Sequence, residues 1–455
     1  MSTPATDRPQ TSDDLLTRLD ADGIERLWVV YRDYLGRAGG KIIPRRSFRG
    51  AVGSGIVFAR ANLDFDHHDH QVEGADYLAG SGDFLAVPDP RSYTILPQFP
   101  ATARVQSFMR SDDGSPWDGC PRTRLADTVD TLAAAGFSVM AALEPEFFVV
   151  HRDDRGDIRP VGTTHMFSTA GLAAEEPFLR RVLGLLDGME VAVPQIGQEY
   201  SPGQYELSTA HADPLTAVDN YYAVREAVRD AAAESGYEAT FMPKPYAEWS
   251  GNSLHVHLSI WDATGATDLT PEPSDDTSIS TVGGHAIGGI LAHVNALTGL
   301  GSPTVNGYKR LQPGSWAPAN TCWGFGNRSG VIRIPGHGRR RHIEYRASDN
   351  TAQVEMLLAG LLAAGLDGIR RETDPGAPFQ QDAGHMTPEA IAASGIGYLP
   401  RSLGAALDAL EADEVIAGTL GPAVLGHFLR IRRHELAQYE RQVHAWEREI
   451  YFAIT

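Results

Sequence analysis

"AALEPEFFVV", residues 141–150, is the stretch on which the fold turns. Successive side chains of a strand point to opposite faces, and residues two apart share a face about 7 Å apart. Glu144 and Glu146 therefore stand side by side, at the head of an aromatic and β-branched run that suits a sheet. The pattern returns three times. In "EYSPGQYELS" (199–208), Glu199 precedes a Pro-Gly turn and Glu206 begins the next extended run. In "SGNSLHVHLSIW" (250–261), His255, His257 and Ser259 share one face, opposite Leu254, Val256 and Leu258. In "RHIEYRAS" (341–348), Glu344 and Arg346 stand opposite Ile343 and Tyr345. One such strand is an ordinary half-solvated sheet; four of them collect carboxylates into one polar cavity. Crowded carboxylates raise one another's pKa unless cations neutralise them. Five glutamates with one histidine are an oxygen-rich donor set, suited to Mg²⁺ or Mn²⁺ rather than to a cysteine-rich zinc site. That many charges imply more than one ion.

The cations complement this face. "NRSGVIRIP" (327–335) carries Arg328 and Arg333, "YKRLQPGSWAPAN" (308–320) carries Arg310, and Arg346 sits beside Glu344. Arginines set among metal-binding carboxylates can clamp a transferring phosphoryl group. The chain has no GxxxxGK[ST] loop, so its nucleotide cradle is not a P-loop.

The bulk numbers set the frame. A chain of 455 residues has room for two domains or for one large domain with an appendage. A formal charge of −19 argues against a nucleic-acid partner, which needs clustered cations. Cys120 and Cys322 are the only cysteines and lack metal-ligand spacing, which predicts no disulfide framework, a reducing compartment and a cytoplasmic protein. The polar start "MSTPATDRPQTSDD" has no apolar core, so no secretory signal is expected. The longest apolar stretch (285–301) is broken by His, Asn and Gly, so no membrane span is expected.

Organisation along the chain predicts an α+β protein. Residues 1–12 read as a disordered tail. A first α+β domain over 13–110 begins with a short helix, with Ser12 as its cap and Gly23 as its stop, followed by a hairpin in "ERLWVVYRDYLGRAGGKIIP". A larger domain over 111–455 alternates helices and strands. It includes a buried Leu/Ala-rich helix near 355–371 and one long charged helix over 427–452.

In order, "EPEFF", "GQYELS", "FMPKP…GNSLHVHLS", "VNGYKRLQPG", "NRSGVIRIP" and "HIEYR" resemble the signature segments of the glutamine synthetase family, class I type. The resemblance covers nearly the whole chain. It implies an N-terminal β-grasp domain and a catalytic α+β domain with a curved antiparallel sheet. It also implies a homo-oligomer, a dodecamer of two stacked rings with active sites between subunits. Carried over residue by residue, Glu146, Glu199 and Glu206 would form one metal site, and Glu144, His255 and Glu344 a second, holding two or three Mg²⁺ or Mn²⁺ ions in all. His257, Ser259 and Arg333 would lie at ATP, and Gly251, Arg310 and Arg346 at glutamate. Arg328 would face the developing charge. The implied reaction has two steps: ATP phosphorylates the γ-carboxylate of glutamate, and a nitrogen nucleophile then displaces phosphate to give an amide.

Three departures concern the nucleophile. Members that use ammonia carry a glutamate in a flap like "PG[FY]EAP"; "PGSWAP" has Trp316 at that position. The "FDGSS" segment is absent, with "ANLDFDHHDHQ" (61–71) in its region, so Asp64 or Asp66 is the stand-in. A tyrosine expected in the site gives way to Met166 or Phe167. These changes predict an organic amine, a polyamine, ethanolamine or a short alkylamine, with Trp316 in the amine pocket. A true ammonia-using glutamine synthetase and a non-catalytic structural relative are the alternatives. An amine with a pKa near that of lysine, about 10.4, arrives protonated and must surrender that proton. Glu199 is the expected acceptor, with Asp64 or Asp66 reaching in from a neighbouring subunit.

Overall fold

Twenty residues before "AALEPEFFVV", a helix start at Pro121 divides the chain into two sheet regions. They are described from a computed structural model covering residues 8–454. The first sheet holds β1 (Arg26–Arg32), β2 (Ala38–Pro44), β3 (Ile56–Ala59), β4 (Asp83–Pro88), β5 (Thr94–Ile95) and β6 (Thr102–Ser111). Its order is β2-β1-β6-β4-β3, with β5 also on β6. The expected hairpin forms β1 and β2, paired antiparallel from Arg26–Pro44 to Arg32–Ala38. Glycine is required inside β2, because a Cβ on Gly39 would lie 2.3 Å from the Tyr31 ring across the ladder.

The first helix runs Ser12–Ala21, and its cap is Thr11 rather than Ser12. Thr11 Oγ1 accepts from Asp14 N, and Asp14 accepts from Thr11 N, so the reciprocal pair starts the helix one residue earlier than expected. Of the expected tail over 1–12, residues 1–7 lie outside the described residues.

The second sheet holds β7 (Phe137–Arg152), β8 (Ile158–Pro160), β9 (Gln195–Gln198), β10 (Gln204–Ser208), β11 (Glu238–Thr240), β12 (Leu254–Asp262), β13 (Asn320–Phe325), β14 (Gly330–Ile334), β15 (Ile343–Tyr345) and β16 (Gly397–Tyr398). The order is β16-β13-β14-β15-β12-β7-β10-β9, with β8 and β11 also on β7. Every neighbouring pair is antiparallel except β13 and β14. The chain returns from β13 to β14 through Gly326–Ser329, and this return carries Arg328.

β7 is the spine. Leu143, Phe147 and Val149 are fully buried, and helices Pro121–Ala134 and Pro214–Glu234 pack against it. The expected Leu/Ala helix runs Val354–Arg371 and is buried along most of its length. One core cluster continues from Leu27 and Phe84 of the first sheet to Val256 and Leu357 of the second region. Arg122, between Asp89 (2.8 Å) and Asp219 (2.7 Å), adds a buried ionic fastening between the two.

The single C-terminal helix expected over 427–452 is two helices. Glu414–Glu440 is followed by a break and then by Ala445–Tyr451, because His444 and Glu447 form a new capping box. The longer helix also kinks at Gly421, whose φ of 74° precedes Pro422.

Candidate active site

Register across the second sheet aligns the acidic strands into one row. Glu206 of β10 lies opposite Glu146 of β7, and Glu144 of β7 opposite His255 of β12. His257 of β12 then lies opposite Glu344 of β15, and Glu344 opposite Arg333 of β14. Four antiparallel ladders thus deliver side chains scattered over 201 positions, from Glu144 to Glu344, to one surface.

The row is tightly bonded. Ser208 Oγ donates to Glu144 Oε1 (2.6 Å), while His255 Nδ1 and His257 Nε2 lie 3.3 and 3.2 Å from Glu144 Oε2. Arg333 donates to Glu344 (2.9 Å), and Arg346 pairs with the same carboxylate. Ser253 N donates to Glu146 Oε2 (2.7 Å).

Charge is distributed unevenly along it. Burial opposes ionisation of Glu344, but Arg346 and His255 hold its pKa down at about 2. Burial likewise opposes ionisation of Glu144, and hydrogen bonds from His255 and His257 hold it well below the usual carboxylate range. The opposite holds at the other end. Burial, then the charges of Glu144 and Glu146, push Glu206 up to about 10. Burial, then Glu146 and Glu144, push Glu199 up to about 8. Two carboxyls that hold protons for want of a counter-charge are a fitting donor set for divalent cations. Donor atoms of Glu144, Glu206 and His255 lie within 4.8 Å of one another, and so do those of Glu144, His257 and Glu344. These groupings cross the expected partition: Glu206 joins Glu144 and His255, and His257 joins the acids.

Above the row is a cavity lined by Glu146, Glu199, Glu206, His255, Arg310 and Arg346, with Gly251, Arg328 and Trp316 at its edge. Arg310 is 3% exposed; its Nη2 donates to the Arg346 carbonyl (3.0 Å) and its buried Nη1 has no partner. Gly251 is glycine because a Cβ there would lie 2.6 Å from the Pro243 carbonyl and 2.9 Å from Arg310 Cγ. Gln204 holds this loop, donating to the Gly251 carbonyl (3.0 Å).

Trp316 stands in the left-handed region at φ 62° and is 60% exposed. That conformation is costly for a bulky residue. Ser315 pins the turn, donating to the carbonyls of Arg310 (2.9 Å) and Gln312 (2.6 Å). The Trp316 ring stacks on Tyr200 at 5.6 Å, and Phe167, also left-handed at φ 54°, meets Tyr200 edge-on at 5.4 Å. Of the two residues expected here, Phe167 makes the ring contact. Trp316 and Arg328 also border a second cavity of about 250 Å³, lined further by Gln380, Asp382 and His385.

Three expected residues sit elsewhere. Ser259 lies two positions beyond His257, and its Oγ accepts from Trp261 Nε1 (2.9 Å). Asp64 is fully buried, bonded to His427 Nδ1 (2.5 Å) and Tyr77 N (2.8 Å). Asp66 is 4% exposed and accepts from His68 N (2.8 Å) and His70 N (3.0 Å). Both aspartates are bonded within their own chain, joining the first sheet region to the helix Glu414–Glu440. Sequence reasoning overlooked Tyr200, Ser208 and Ser253. All three lie inside the quoted motifs, but only packing shows that they touch the site.

Known proteins resemble this arrangement. Residues 118–451 match the family described as glutamine synthetase, catalytic domain. Glutamine synthetase of Halobacterium salinarum is 32% identical over 446 residues, 96% of this chain and 95% of that protein. Glutamate–methylamine ligase of Methyloversatilis universalis is 33% identical over 442 residues, 94% of this chain and 96% of that protein. A solved GmaS–ADP complex superimposes with a TM-score of 0.86 at 30% identity, covering 96% of this chain and 99% of that one.

Proposed function

The chain belongs to the glutamine synthetase family, and from that premise we propose that it is an ATP-dependent ligase joining the γ-carboxyl of glutamate to an organic amine. One observation carries the amine reading. Where ammonia-using members place a carboxylate, this chain builds an aromatic wall of Trp316, Tyr200 and Phe167. Ring faces attract ammonium groups and cover methylenes, whereas they cannot neutralise a small bare cation as a carboxylate does. The adjoining cavity gives the amine's organic part somewhere to go. The name of the Methyloversatilis relative is in keeping with this reading.

In the reaction, a γ-carboxylate oxygen of glutamate attacks the γ-phosphorus of ATP, and ADP leaves. The arriving ammonium first gives one proton to the acceptor; the free amine nitrogen then attacks the acyl carbon, phosphate leaves, and a second proton is lost as the amide forms. Arg310, with its free Nη1, and Arg346 hold the substrate carboxylates beside Gly251. Arg328 and Arg333 face the transferring group. Glu144, Glu146, Glu199, Glu206, His255 and Glu344 would hold Mg²⁺ or Mn²⁺, which supply charge neutralisation for ATP. Glu199, which lines the cavity beside Tyr200 and the Trp316 ring, is the proton acceptor. Asp64 and Asp66 have no part in this reading. His257 binds the acid row as well as facing the nucleotide, while Ser259 serves the nucleotide only from outside that row. We also propose a homo-oligomer, since Trp446, Phe452 and Ile454 are 60%, 85% and 71% exposed at the C-terminal end.

The test is phosphate release with glutamate, ATP and Mg²⁺ against ammonia, methylamine, ethanolamine, putrescine, spermidine and spermine. At least one organic amine is expected to exceed ammonia in kcat/KM. Turnover with ammonia alone would sink the amine reading and leave the family intact.

A further inference from the structure

Away from the catalytic cavity, and sharing no lining residue with it, a pocket of about 540 Å³ opens between the first domain and the helix Pro214–Glu234. Its charge is the reverse of the molecule's. Arg32, Arg37, Arg225, Arg229 and Arg432 line it, with Glu226 as the one carboxylate in its wall. The whole chain carries −19. Glu226 is already divided between Arg32 (3.1 Å) and Arg104. Arg37 is satisfied by Asp33 (2.7 Å) and Asp69 (3.2 Å), and Arg432 by Glu435 (2.8 Å).

Arg225 and Arg229 have no such partner: among the described residues no carboxylate lies within 4 Å of either. They stand four apart on one helix, a spacing at which like charges repel, and flank the Phe241 ring with guanidinium carbons 5.1 and 5.6 Å from its centre. Arg225 Nη1 donates only to Tyr221 Oη (3.1 Å) and to the Asn350 carbonyl (3.0 Å). At the inner wall, Arg432 is 1% exposed and its buried Nε has no acceptor. Buried donors of this kind ordinarily find a partner. Two guanidinium forks without a carboxylate within 4 Å therefore border a space that can hold a small molecule.

We propose that this pocket is a binding site for a small multivalent anion, a metabolite bearing two or more carboxylate groups or a phosphate, held mainly by Arg225 and Arg229. The planar forks pair with either group, and Tyr222, Phe241 and Met242 supply an apolar wall for its carbon skeleton.

Titration calorimetry on the full chain tests this, with tricarballylate, inorganic phosphate and acetate as probes at matched ionic strength. One saturable site per chain is expected for tricarballylate or phosphate, and which of them binds identifies the anion's chemistry. Arg229→Gln is expected to weaken it at least tenfold; this side chain lies at the exposed mouth, so the fold is spared. Arg225→Gln should also weaken the binding. Arg328→Gln, in the catalytic cavity, should leave the binding intact. The proposal is overturned if Arg328→Gln alone removes the binding, if acetate binds equally well, or if neither multivalent anion saturates.

Discussion

Trp316 concentrates the question of specificity in one residue. A tryptophan at φ 62° is held against its own backbone preference, so its ring is kept there for what it touches. Glycine accepts that conformation without cost, and Trp316→Gly therefore removes the ring while leaving the turn foldable. Losing an aromatic–ammonium contact and its covered methylenes costs about 1–2 kcal/mol. The KM of the preferred amine should rise about tenfold, with the KM values of glutamate and ATP little changed. A uniform loss across all three substrates would mean that the ring only shapes the flap. Glu146 gives the complementary experiment. It faces Glu206 across the ladder and receives Ser253 N. Glu146→Ala should lower phosphate release by at least ~100-fold with every amine, and raising Mg²⁺ should recover part of it. Unchanged turnover would refute its place in the metal site.

Among the elements, strands place the chemistry and helix ends fix the frame. His293 sits between the helices Thr281–Ala292 and Val294–Gly301 and bonds both Asp413 (2.7 Å) and Asp367 (3.2 Å). Asp413 also caps the helix Glu414–Glu440, accepting from Val415 N and Ile416 N. The Asp413 hydrogen bond, working against burial, raises the His293 pKa above its usual 6.5. A folded pKa raised above the unfolded one means stability that is fully present below about pH 6.5 and lost as pH rises through the folded value. Wild-type unfolding temperature should fall across that window, and His293→Gln should flatten the profile at a cost of about 1.5–3 kcal/mol near pH 6. A variant with the wild-type slope would assign the slope to other groups. At this scale the sequence read well where periodicity was strong, as in the hairpin, β7, β12 and the helix Val354–Arg371. It failed at ends. Thr11 and His444 are caps whose side-chain bonds compete locally with helix continuation, and periodicity carries no sign of them.

At the scale of the whole molecule, the two sheet regions share one continuous core and are also joined by a buried ionic link through Arg122. Arg122 binds Asp89 beyond β4 and Asp219 in the helix Pro214–Glu234, with all three side chains nearly inaccessible. Arg122→Ala should cost about 3–5 kcal/mol, because it leaves the Asp219 carboxylate buried without its partner and Asp89 with Arg91 alone. Adding Asp89→Asn and Asp219→Asn should return much of the urea midpoint; failure to do so would mean that packing rather than charge joins the regions. The sequence by itself determined which side chains share a face. A strand's two-residue period sorts side chains by face from local order alone, so Glu144 with Glu146, and His255 with His257, were legible as sets. Only the tertiary structure decided how these sets meet. Register between strands set Glu206 opposite Glu146, Glu144 opposite His255 and His257 opposite Glu344; packing brought Tyr200 against Trp316 and turned Asp64 and Asp66 inward to His427 and the backbone. Those outcomes depend on contacts between residues tens to hundreds of positions apart, where pairing is fixed by the burial of a shared core rather than by neighbouring residues.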